Sequence, residues 1–261
     1  MKYERIDKLM VERGFVDSRE KAKLLIMEGL VFSKAKRIEK ASEKISTDEN
    51  IFIKEKPSYI SRAGIKLEGA IKHFNLNLKN RIAGDIGTST GGFADVLIRN
   101  GVKKLYCIDV NFKQLDIRIR NNPAVILLQK NARYLTKDDF EYIPDFFTID
   151  VSFISVKKIL VPLREILQQG DILALIKPQF EAGRGKVGKD GVIKKNEILE
   201  DVLHDIINFS EKVEFIIKDL YESPILGQKG NREFFLYLCT HGKSNDEIFN
   251  KVKEIVFNGK N

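Results

Sequence analysis

Hydrophobic residues near the start of the chain recur at helical spacing. The apolar positions of two successive runs are Ile6, Leu9, Met10, Ala22, Leu25 and Ile26. Because positions three and four apart share one helix face, this pattern predicts two short helices that end near Gly14 and Gly29. Asp17 and Ser18 supply an N-cap for the second helix, and the apolar run 51–53 predicts a closing strand. We therefore expect a small α+β unit at the start of the chain.

From residue 60 onward the pattern changes to short apolar runs separated by stretches long enough for helices. The runs cover residues 82–86, 105–109, 125–128, 146–149, 172–176, 214–218 and 234–238. Strands that alternate with helices are typical of a doubly wound α/β domain. We predict a seven-stranded, Rossmann-like sheet that ends in a C-terminal hairpin. Pro57 lies in a polar stretch typical of a linker, so we expect two domains, 1–58 and 59–261.

Polar residues follow most of the predicted strands. They are Asp85, Asp109, Asn131, Asp150 and Lys177. In open parallel sheets, ligands bind beyond the carboxyl ends of the strands. Polar groups at corresponding strand ends therefore predict a ligand site at this edge of the sheet.

The first predicted strand leads into a glycine-rich loop at the start of a helix. Glycines allow the backbone to approach a ligand closely, and the free N–H groups of a helix start attract an anion. The spacing differs from the G-x-G-x-x-G of dinucleotide sites and resembles motif I of S-adenosylmethionine-dependent methyltransferases. The candidate cofactor-binding residues are Asp85, Gly87, Thr88, Ser89, Gly91, Gly92, Phe93, Asp109, Asn131 and Ala132. Asp109 is placed to accept hydrogen bonds from ribose hydroxyls, whereas Asn131 is equally compatible with a plain turn.

The charge of the chain is concentrated near its start. The 261 residues include 45 Lys and Arg against 37 Asp and Glu, and 18 of the basic residues but only 12 of the acidic ones lie in the first 80. A basic excess favours a polyanionic partner such as RNA, although a run of charges is also typical of a solvated helix face. The candidate RNA-binding residues of the two N-terminal helices are Arg5, Lys8, Arg19, Lys21 and Lys23.

Residues 181–195 form a second basic segment, with four glycines and five Lys or Arg. Glycines permit hinge motion and basic side chains suit RNA phosphates, so we predict a mobile lid in which Arg184 and Lys186 contact RNA. The alternative is a disordered linker.

The composition disfavours secretion, a membrane span, and a disulfide or metal site. The first residues are charged and lack the apolar core of a secretory signal, which predicts a cytoplasmic protein. No stretch approaches the roughly 18 apolar residues needed to cross a bilayer, so we expect no membrane partner. The two cysteines lie in apolar strand-like runs, and we expect neither a disulfide framework nor a metal site.

The order of residues in the N-terminal unit resembles the S4 RNA-binding domain, over roughly residues 3–55. The resemblance rests on the segments 5–9, 16–22 and 26–31. The chain departs from the usual S4 pattern at 33–36, where the family commonly has an Asn-Gly turn.

Five segments in order resemble the TlyA family of ribosomal RNA ribose 2′-O-methyltransferases, which joins an S4 domain to an FtsJ-like class I methyltransferase domain. They are residues 61–67, 85–93, 150–155, 176–181 and 231–235. The resemblance implies S-adenosylmethionine as cofactor and a cytidine of 23S rRNA, and also of 16S rRNA in some members, as substrate. It implies a catalytic tetrad of Lys66, Asp150, Lys177 and Glu233, and Arg62 lies in the first of these segments as a further RNA-binding candidate. We expect a monomer that acts on a ribosomal subunit or ribosome.

The residue types of the tetrad suit methyl transfer to a weakly acidic hydroxyl. The ribose oxygen must be aligned with the methyl group while its proton leaves. We predict Lys177 as general base or alkoxide stabiliser, Asp150 as its orienting partner, and Lys66 with Glu233 as the holders of the ribose. Ordinary salt bridges are the alternative for Lys66 and Glu233.

Three other functions fit parts of the sequence. They are a cytolysin, since members of this family have carried haemolysin names; a non-enzymatic RNA-binding protein; and an S4-bearing pseudouridine synthase. Binding of S-adenosylmethionine distinguishes all three from a methyltransferase.

Overall fold

The computed structural model describes residues 3–27, 29–34, 36–53, 59–183 and 185–258. The chain divides into two compact units, residues 1–58 and residues 59–261. The predicted linker around Pro57 and the predicted lid residue Arg184 lie outside the described residues.

The N-terminal unit, residues 1–58, combines two helices with short antiparallel strands. Its elements are β1 (Tyr3–Arg5), α1 (Ile6–Glu12), α2 (Arg19–Met27), β2 (Val31–Ser33), β3 (Lys36–Arg37), β4 (Lys44–Ser46) and β5 (Ile51–Ile53). Strand β1 pairs with β4, and β2 lies between β3 and β5. The apolar helix faces predicted from the sequence pack with the strands into one core that includes Ile6, Met10 and Val31. The Ser18 hydroxyl accepts a hydrogen bond from the Lys21 N–H at 3.2 Å, as an N-cap does.

The C-terminal unit, residues 59–261, alternates helices with strands. Its elements are α3 (Arg62–His73), β6 (Ile82–Ile86), α4 (Gly92–Arg99), β7 (Lys104–Asp109), α5 (Ile117–Arg120), β8 (Val125–Gln129), β9 (Phe146–Ile149), α6 (Lys157–Ile166), β10 (Asp171–Ile176), α7 (Pro178–Glu181), α8 (Asn196–Lys212), β11 (Ile216–Glu222), β12 (Phe234–Cys239) and α9 (Ile248–Asn258). Short 3₁₀ turns connect some of them.

Seven strands of this unit form one sheet in the order β11-β12-β10-β9-β6-β7-β8. Strand β12 is antiparallel to both of its neighbours, and the pairs from β10 to β8 are parallel. The predicted α/β class, seven-stranded sheet and C-terminal hairpin are thereby confirmed. The run predicted at 214–218 was wrong in its bounds, because Glu214 has a positive φ of 62° and the strand begins at Ile216. The edge position of β11 lets polar residues such as Asp219 continue the strand, so apolar content does not mark its end.

Both faces of the sheet are covered by helices. On one face, Ile86, Ile108 and Ile149 pack in a core that includes residues of α6, α8 and α9. On the other, Leu105 and Cys107 pack in a core that includes residues of α3, α4 and α5. Burial on both faces explains why the central strands appear as continuous apolar runs, and it leaves the strand ends as the place for polar groups.

Asp85, near the end of the central strand β6, is an exception because its side chain is fully buried. Its Oδ1 accepts a hydrogen bond from the Thr148 hydroxyl at 2.8 Å, while Oδ2 is buried without a hydrogen-bond partner. Burial is the main cause that raises the pKa of the Asp85 carboxyl to about 7, with a contribution from the nearby carboxylates of Asp150 and Asp109 and against the opposing effect of the Thr148 bond.

Replacement of this carboxyl by a neutral amide tests its state. Because the folded-state pKa is raised, the stabilisation due to the neutral Asp85 is complete below about pH 4 and is lost as the pH rises through about 7. The Asp85→Asn variant lacks this titration. We therefore expect the melting temperature of the wild type, relative to that of Asp85→Asn, to fall between about pH 4 and pH 7 and to level off above that range.

Thermal unfolding of both proteins across this range provides the measurement. The exposed Asp246 offers a matched control, since Asp246→Asn removes a carboxylate of the same unit from the surface. A difference between wild type and Asp85→Asn that does not vary with pH would contradict a buried, proton-binding Asp85.

Candidate active site

Two adjoining cavities open at the carboxyl edge of the sheet. The first, of about 380 Å³, is lined by Gly87, Ser89, Asp109, Asn131, Ala132 and Asp150 among others. The second, of about 550 Å³, is lined by Arg62, Lys66, Lys177, Gln179, Phe180 and Glu233 among others. Gly87, Ser89, Asp150 and Ser152 belong to both walls. Ligands in the two cavities would therefore lie next to each other.

The loop between β6 and α4 separates the cavities and depends on glycine. Gly87 has a φ of 83°, and a Cβ at this position would collide with the backbone carbonyl of Asp150. Gly91 has a φ of 94° and is the N-cap of α4. The glycine signal in the sequence thus reflects close approach of the loop to β9, in addition to the access it gives to the cavity.

Asp109 lines the first cavity and is held there by two backbone hydrogen bonds. Its Oδ2 accepts a hydrogen bond from the Ser89 N–H at 2.9 Å, and its Oδ1 accepts one from the Asn111 N–H at 3.3 Å. A carboxylate oxygen can accept more than one hydrogen bond, so both oxygens retain capacity toward the cavity. This arrangement fits a ligand with two adjacent hydroxyl groups, such as a ribose.

The apolar part of the same cavity lies around Ala132. Ile108, Val110 and Ile154 contribute to it, and Asn131 stands beside them. The Oδ1 of Asn131 accepts a hydrogen bond from the Arg133 N–H at 3.1 Å, which leaves the amide group as a donor. A flat, partly apolar ring with acceptor nitrogens fits these surroundings.

The second cavity contains two lysine–carboxylate pairs. The Nζ of Lys177 lies 2.6 Å from Oδ1 of Asp150, and the Nζ of Lys66 lies 2.5 Å from Oε2 of Glu233. Lys177 also donates a hydrogen bond to the Ser152 hydroxyl at 3.2 Å. Only 3% of the Glu233 side chain is exposed. Because charges taken out of water are stable only when they are paired, the pairs hold each other in place at the cavity.

Four separate elements supply these charges. Lys66 is on α3, Asp150 follows β9, Lys177 follows β10, and Glu233 precedes β12. The structure therefore brings all four predicted catalytic residues into one cavity, across as many as 167 positions of sequence. Each lysine has donors left after its carboxylate contact, so the cavity can both donate to and accept from a hydroxyl group.

Not all predicted cofactor residues reach the cavity surface. Asp85 lies buried beneath the cavities, and Gly91 packs near Ile119 and Leu115 as the cap of α4. Both were predicted as cofactor-binding residues, and neither lines the first or the second cavity. Thr88, Gly92 and Phe93 line the second cavity, whereas Gly87 and Ser89 line both, so the glycine loop borders the two cavities together.

The predicted RNA-binding residues of the described chain lie in three places. The candidates Arg5, Lys8, Arg19, Lys21 and Lys23 belong to the N-terminal unit, and Arg62 lines the second cavity. Lys186 lies within 3.6 Å of Asp201 on α8. Beyond Lys186, the side chain of Asn231 accepts a hydrogen bond from the Ile193 N–H and donates one to the Gly191 carbonyl. The C-terminal part of the predicted lid is thus attached to the segment that carries Glu233.

Sequence reasoning missed several residues of the second cavity. Ser152, Gln179 and Phe180 line it, and Phe153 stands nearby with its ring 4.8 Å from that of Phe180. Phe153 has a positive φ of 63° and 89% of its surface is exposed. The signal that pointed toward them was their position directly after predicted strands, but exposure and backbone strain are not visible in a sequence.

Within the described ranges, no group of three or more His, Cys, Asp or Glu side chains is arranged to hold a metal ion. In the same part of the chain, no helix is both long and apolar enough to cross a bilayer.

Comparison with known proteins identifies both units. Residues 59–240 match the FtsJ-like methyltransferase family, and residues 4–51 match the S4 domain. The chain is 46% identical to YqxC of Bacillus subtilis, which is named as a candidate rRNA methyltransferase, over 94% of this chain and 89% of that one. It is 33% identical to the 16S/23S rRNA (cytidine-2′-O)-methyltransferase TlyA of Mycobacterium tuberculosis, over 90% of each chain.

A solved structure from Streptococcus thermophilus, named as a candidate hemolysin, has the same architecture. It superimposes with a TM-score of 0.76 and 41% identity, over 99% of this chain and 96% of that one. The S4 unit, the FtsJ-like unit and the two adjoining cavities together lead to one assignment. The chain belongs to the TlyA family, in which an S4 domain is joined to an FtsJ-like, S-adenosylmethionine-dependent rRNA 2′-O-methyltransferase domain.

Proposed function

We propose that this chain transfers a methyl group from S-adenosylmethionine to the ribose 2′-hydroxyl of a cytidine in 23S rRNA, with 16S rRNA as a second substrate to be tested. The observation that carries the proposal is the Lys177–Asp150 pair, which stands where the two cavities meet. A methyl donor in the first cavity and a ribose in the second would face each other across it. The TlyA relatives of Mycobacterium tuberculosis and Campylobacter jejuni are named as cytidine-2′-O-methyltransferases, which supports the choice of cytidine.

The first cavity suits the cofactor. Asp109 would accept hydrogen bonds from the ribose hydroxyls, and Asn131 with Ala132 would border the adenine. The loop from Gly87 to Phe93 leads into the start of α4, where free N–H groups would meet the carboxylate of the methionine part. The bound cofactor supplies an electrophilic methyl group on sulfur.

The second cavity would hold the target nucleotide. Lys66 and Glu233 would fix the ribose by donating to and accepting from its hydroxyl groups. Lys177, oriented by Asp150, would accept the 2′-hydroxyl proton as a neutral amine or stabilise the developing oxyanion as an ammonium. Alignment of the oxygen with the methyl group then accounts for much of the rate enhancement.

Several features outside the tetrad support an RNA substrate. The exposed ring of Phe153 beside Phe180 offers a surface on which an unpaired base could stack. Arg62 stands at the same cavity, and its Nη2 lies 3.4 Å from the Leu226 carbonyl. The S4 unit would supply further phosphate contacts through Arg5, Lys8, Arg19, Lys21 and Lys23. We propose a cytoplasmic monomer that acts on a ribosomal subunit or ribosome.

Removal of the Lys177 amine tests the catalytic role. We expect Lys177→Ala to lower the rate of methyl transfer at least about 100-fold, because a positioned proton-transfer group contributes about that much or more. Affinity for S-adenosylmethionine should remain close to that of the wild type, since Lys177 lines only the second cavity. Transfer of labelled methyl groups to rRNA from a strain that lacks this gene provides the measurement.

The exposed Lys253 on α9 provides the control, and Lys253→Ala should retain full activity. A folded Lys177→Ala protein with nearly wild-type activity would refute the assignment. Mapping of 2′-O-methylated nucleotides in the product then identifies the target, and a modified nucleotide other than cytidine would overturn that part of the proposal.

Charge reversal in the basic segment tests the proposed lid. We propose that Arg184 and Lys186 contact RNA phosphates beside the site, so the double variant Arg184→Glu, Lys186→Glu should bind rRNA about tenfold more weakly or worse. Its rate of methylation should fall at subsaturating RNA. Filter binding and initial rates at several salt concentrations provide the measurement.

A double variant with the same change in net charge serves as the comparison. Lys212→Glu, Lys243→Glu reverses two exposed charges of the same unit. If both double variants lost affinity equally, net charge rather than a local lid contact would be responsible.

A further inference from the structure

Asp7 is a fully buried acid at the start of a unit expected to bind a polyanion. It lies on α1 with 0% of its surface exposed, among the apolar residues that form the core of the N-terminal unit. Burial of a carboxylate is costly unless the charge is paired, and a negative charge also opposes RNA binding. A residue that carries both penalties needs a compensating role.

The carboxylate of Asp7 accepts hydrogen bonds from two arginines. Its Oδ1 lies 3.1 Å from Nε of Arg5, and its Oδ2 lies 3.0 Å from Nη2 of Arg5. The same Oδ2 lies 2.8 Å from Nη2 of Arg19. Arg5 ends β1 and Arg19 begins α2, so one buried group fixes side chains from two elements.

Both arginines keep part of the guanidinium group available. Arg5 uses the edge formed by Nε and Nη2 for the carboxylate, which leaves Nη1 free of Asp7. The side chains of Arg5 and Arg19 are 41% and 47% exposed. An arginine held by one edge can donate from its remaining N–H groups to a phosphate, which a lysine in the same position cannot do with fixed geometry.

The other ion pairs of these helices are different in kind. Lys21 pairs with Asp17, and Lys8 pairs with Glu4 and Glu12, at separations of four residues along the chain. Such pairs between exposed or half-buried side chains contribute little fixed geometry. Among the acidic side chains of the described residues 3–27, Asp7 alone is in the buried class.

We infer that Asp7 is a positioning residue for RNA binding, which holds Arg5 and Arg19 as a preformed pair of guanidinium groups for the RNA backbone. The inference rests on the proposed function in one respect, namely that the S4 unit binds rRNA. Fixing the two side chains before binding reduces the conformational entropy lost in the complex. The two hydrogen bonds from Arg5, together with the one from Arg19, lower the pKa of Asp7 to about 2 against the opposing effect of burial, so the group is ionised near neutral pH.

The Asp7→Asn variant separates positioning from charge because the two effects have opposite signs. Loss of one negative charge alone would tighten binding to RNA. Loss of the bidentate carboxylate should release the arginines, so we expect binding of the full-length variant to in-vitro-transcribed 23S rRNA to be about fivefold to tenfold weaker. The slope of log affinity against log salt should become shallower by about 0.7 to 0.9, which corresponds to one lost phosphate contact.

Glu12→Gln is the matched control. It removes one negative charge from the same helix, but from an exposed side chain whose partner is Lys8. We expect its affinity to equal or slightly exceed that of the wild type. Equal or tighter binding by Asp7→Asn would overturn the positioning role, whereas failure of the wild type to bind the RNA would overturn the proposed function itself.

A second variant keeps the test decisive if Asp7→Asn does not fold, which circular dichroism and thermal unfolding will report. Arg5→Lys preserves the net charge and the Arg19 partner of Asp7 but lacks the two-pronged geometry. We expect it to bind about fivefold more weakly at the same net charge. Unchanged affinity would show that charge alone matters at this position.

Discussion

The parallel alignment of β6, β9 and β10 is the constraint on which the active site depends. Ile86 of β6 is in register with Ile149 of β9, which is in register with Ala174 of β10. Gly87 and Asp150, which follow these positions in β6 and β9, therefore emerge side by side, and β10 continues through Ile176 before it reaches Lys177. The Asp150 N–H donates to the Ile86 carbonyl at 2.9 Å, and this continuation of the ladder leaves no room for a side chain at Gly87. The wall between the two cavities is thus a consequence of strand register.

In the second cavity, ion pairing offsets the cost of burying four charged side chains. Two lysines and two carboxylates lie in a partly buried space, and together they carry no net charge when all are ionised. Each pair joins elements distant in sequence, so the ion pairs also fix where α3 and β12 stand relative to the strand ends. The same device appears in the N-terminal unit, where Asp7 holds Arg5 and Arg19. In both units a carboxylate contacts cationic side chains that belong to other elements of the fold.

The sequence predicted the strand bounds well where a strand is buried on both faces and less well where a strand lies at the edge of the sheet. The central strands are buried on both faces, so apolar runs marked them within a residue or two, whereas the edge strand β11 extends through Lys218 and Asp219 and was displaced in the prediction. Polar strand ends located the site, because register places them together. The tetrad was assigned by resemblance, since no spacing in the sequence links Lys66 to Glu233. Phe153 and Gln179 were missed, because side-chain exposure and cavity walls arise only when distant segments meet.

Three carboxyl groups near the wall of the first cavity would repel one another if all were ionised and unpaired. Each has a different environment. Asp150 is paired with Lys177, and Asp109 accepts hydrogen bonds from two backbone N–H groups. Asp85 is buried, and its pKa is raised to about 7. Protonation of Asp85 relieves this repulsion at the lowest free-energy cost. Its neutral form is compatible with burial, whereas its charged form would lack both solvent and a cationic partner. The two carboxylates that face the cavities have partners of their own, and in the proposed function Asp150 would orient Lys177 while Asp109 would accept hydrogen bonds from a ribose.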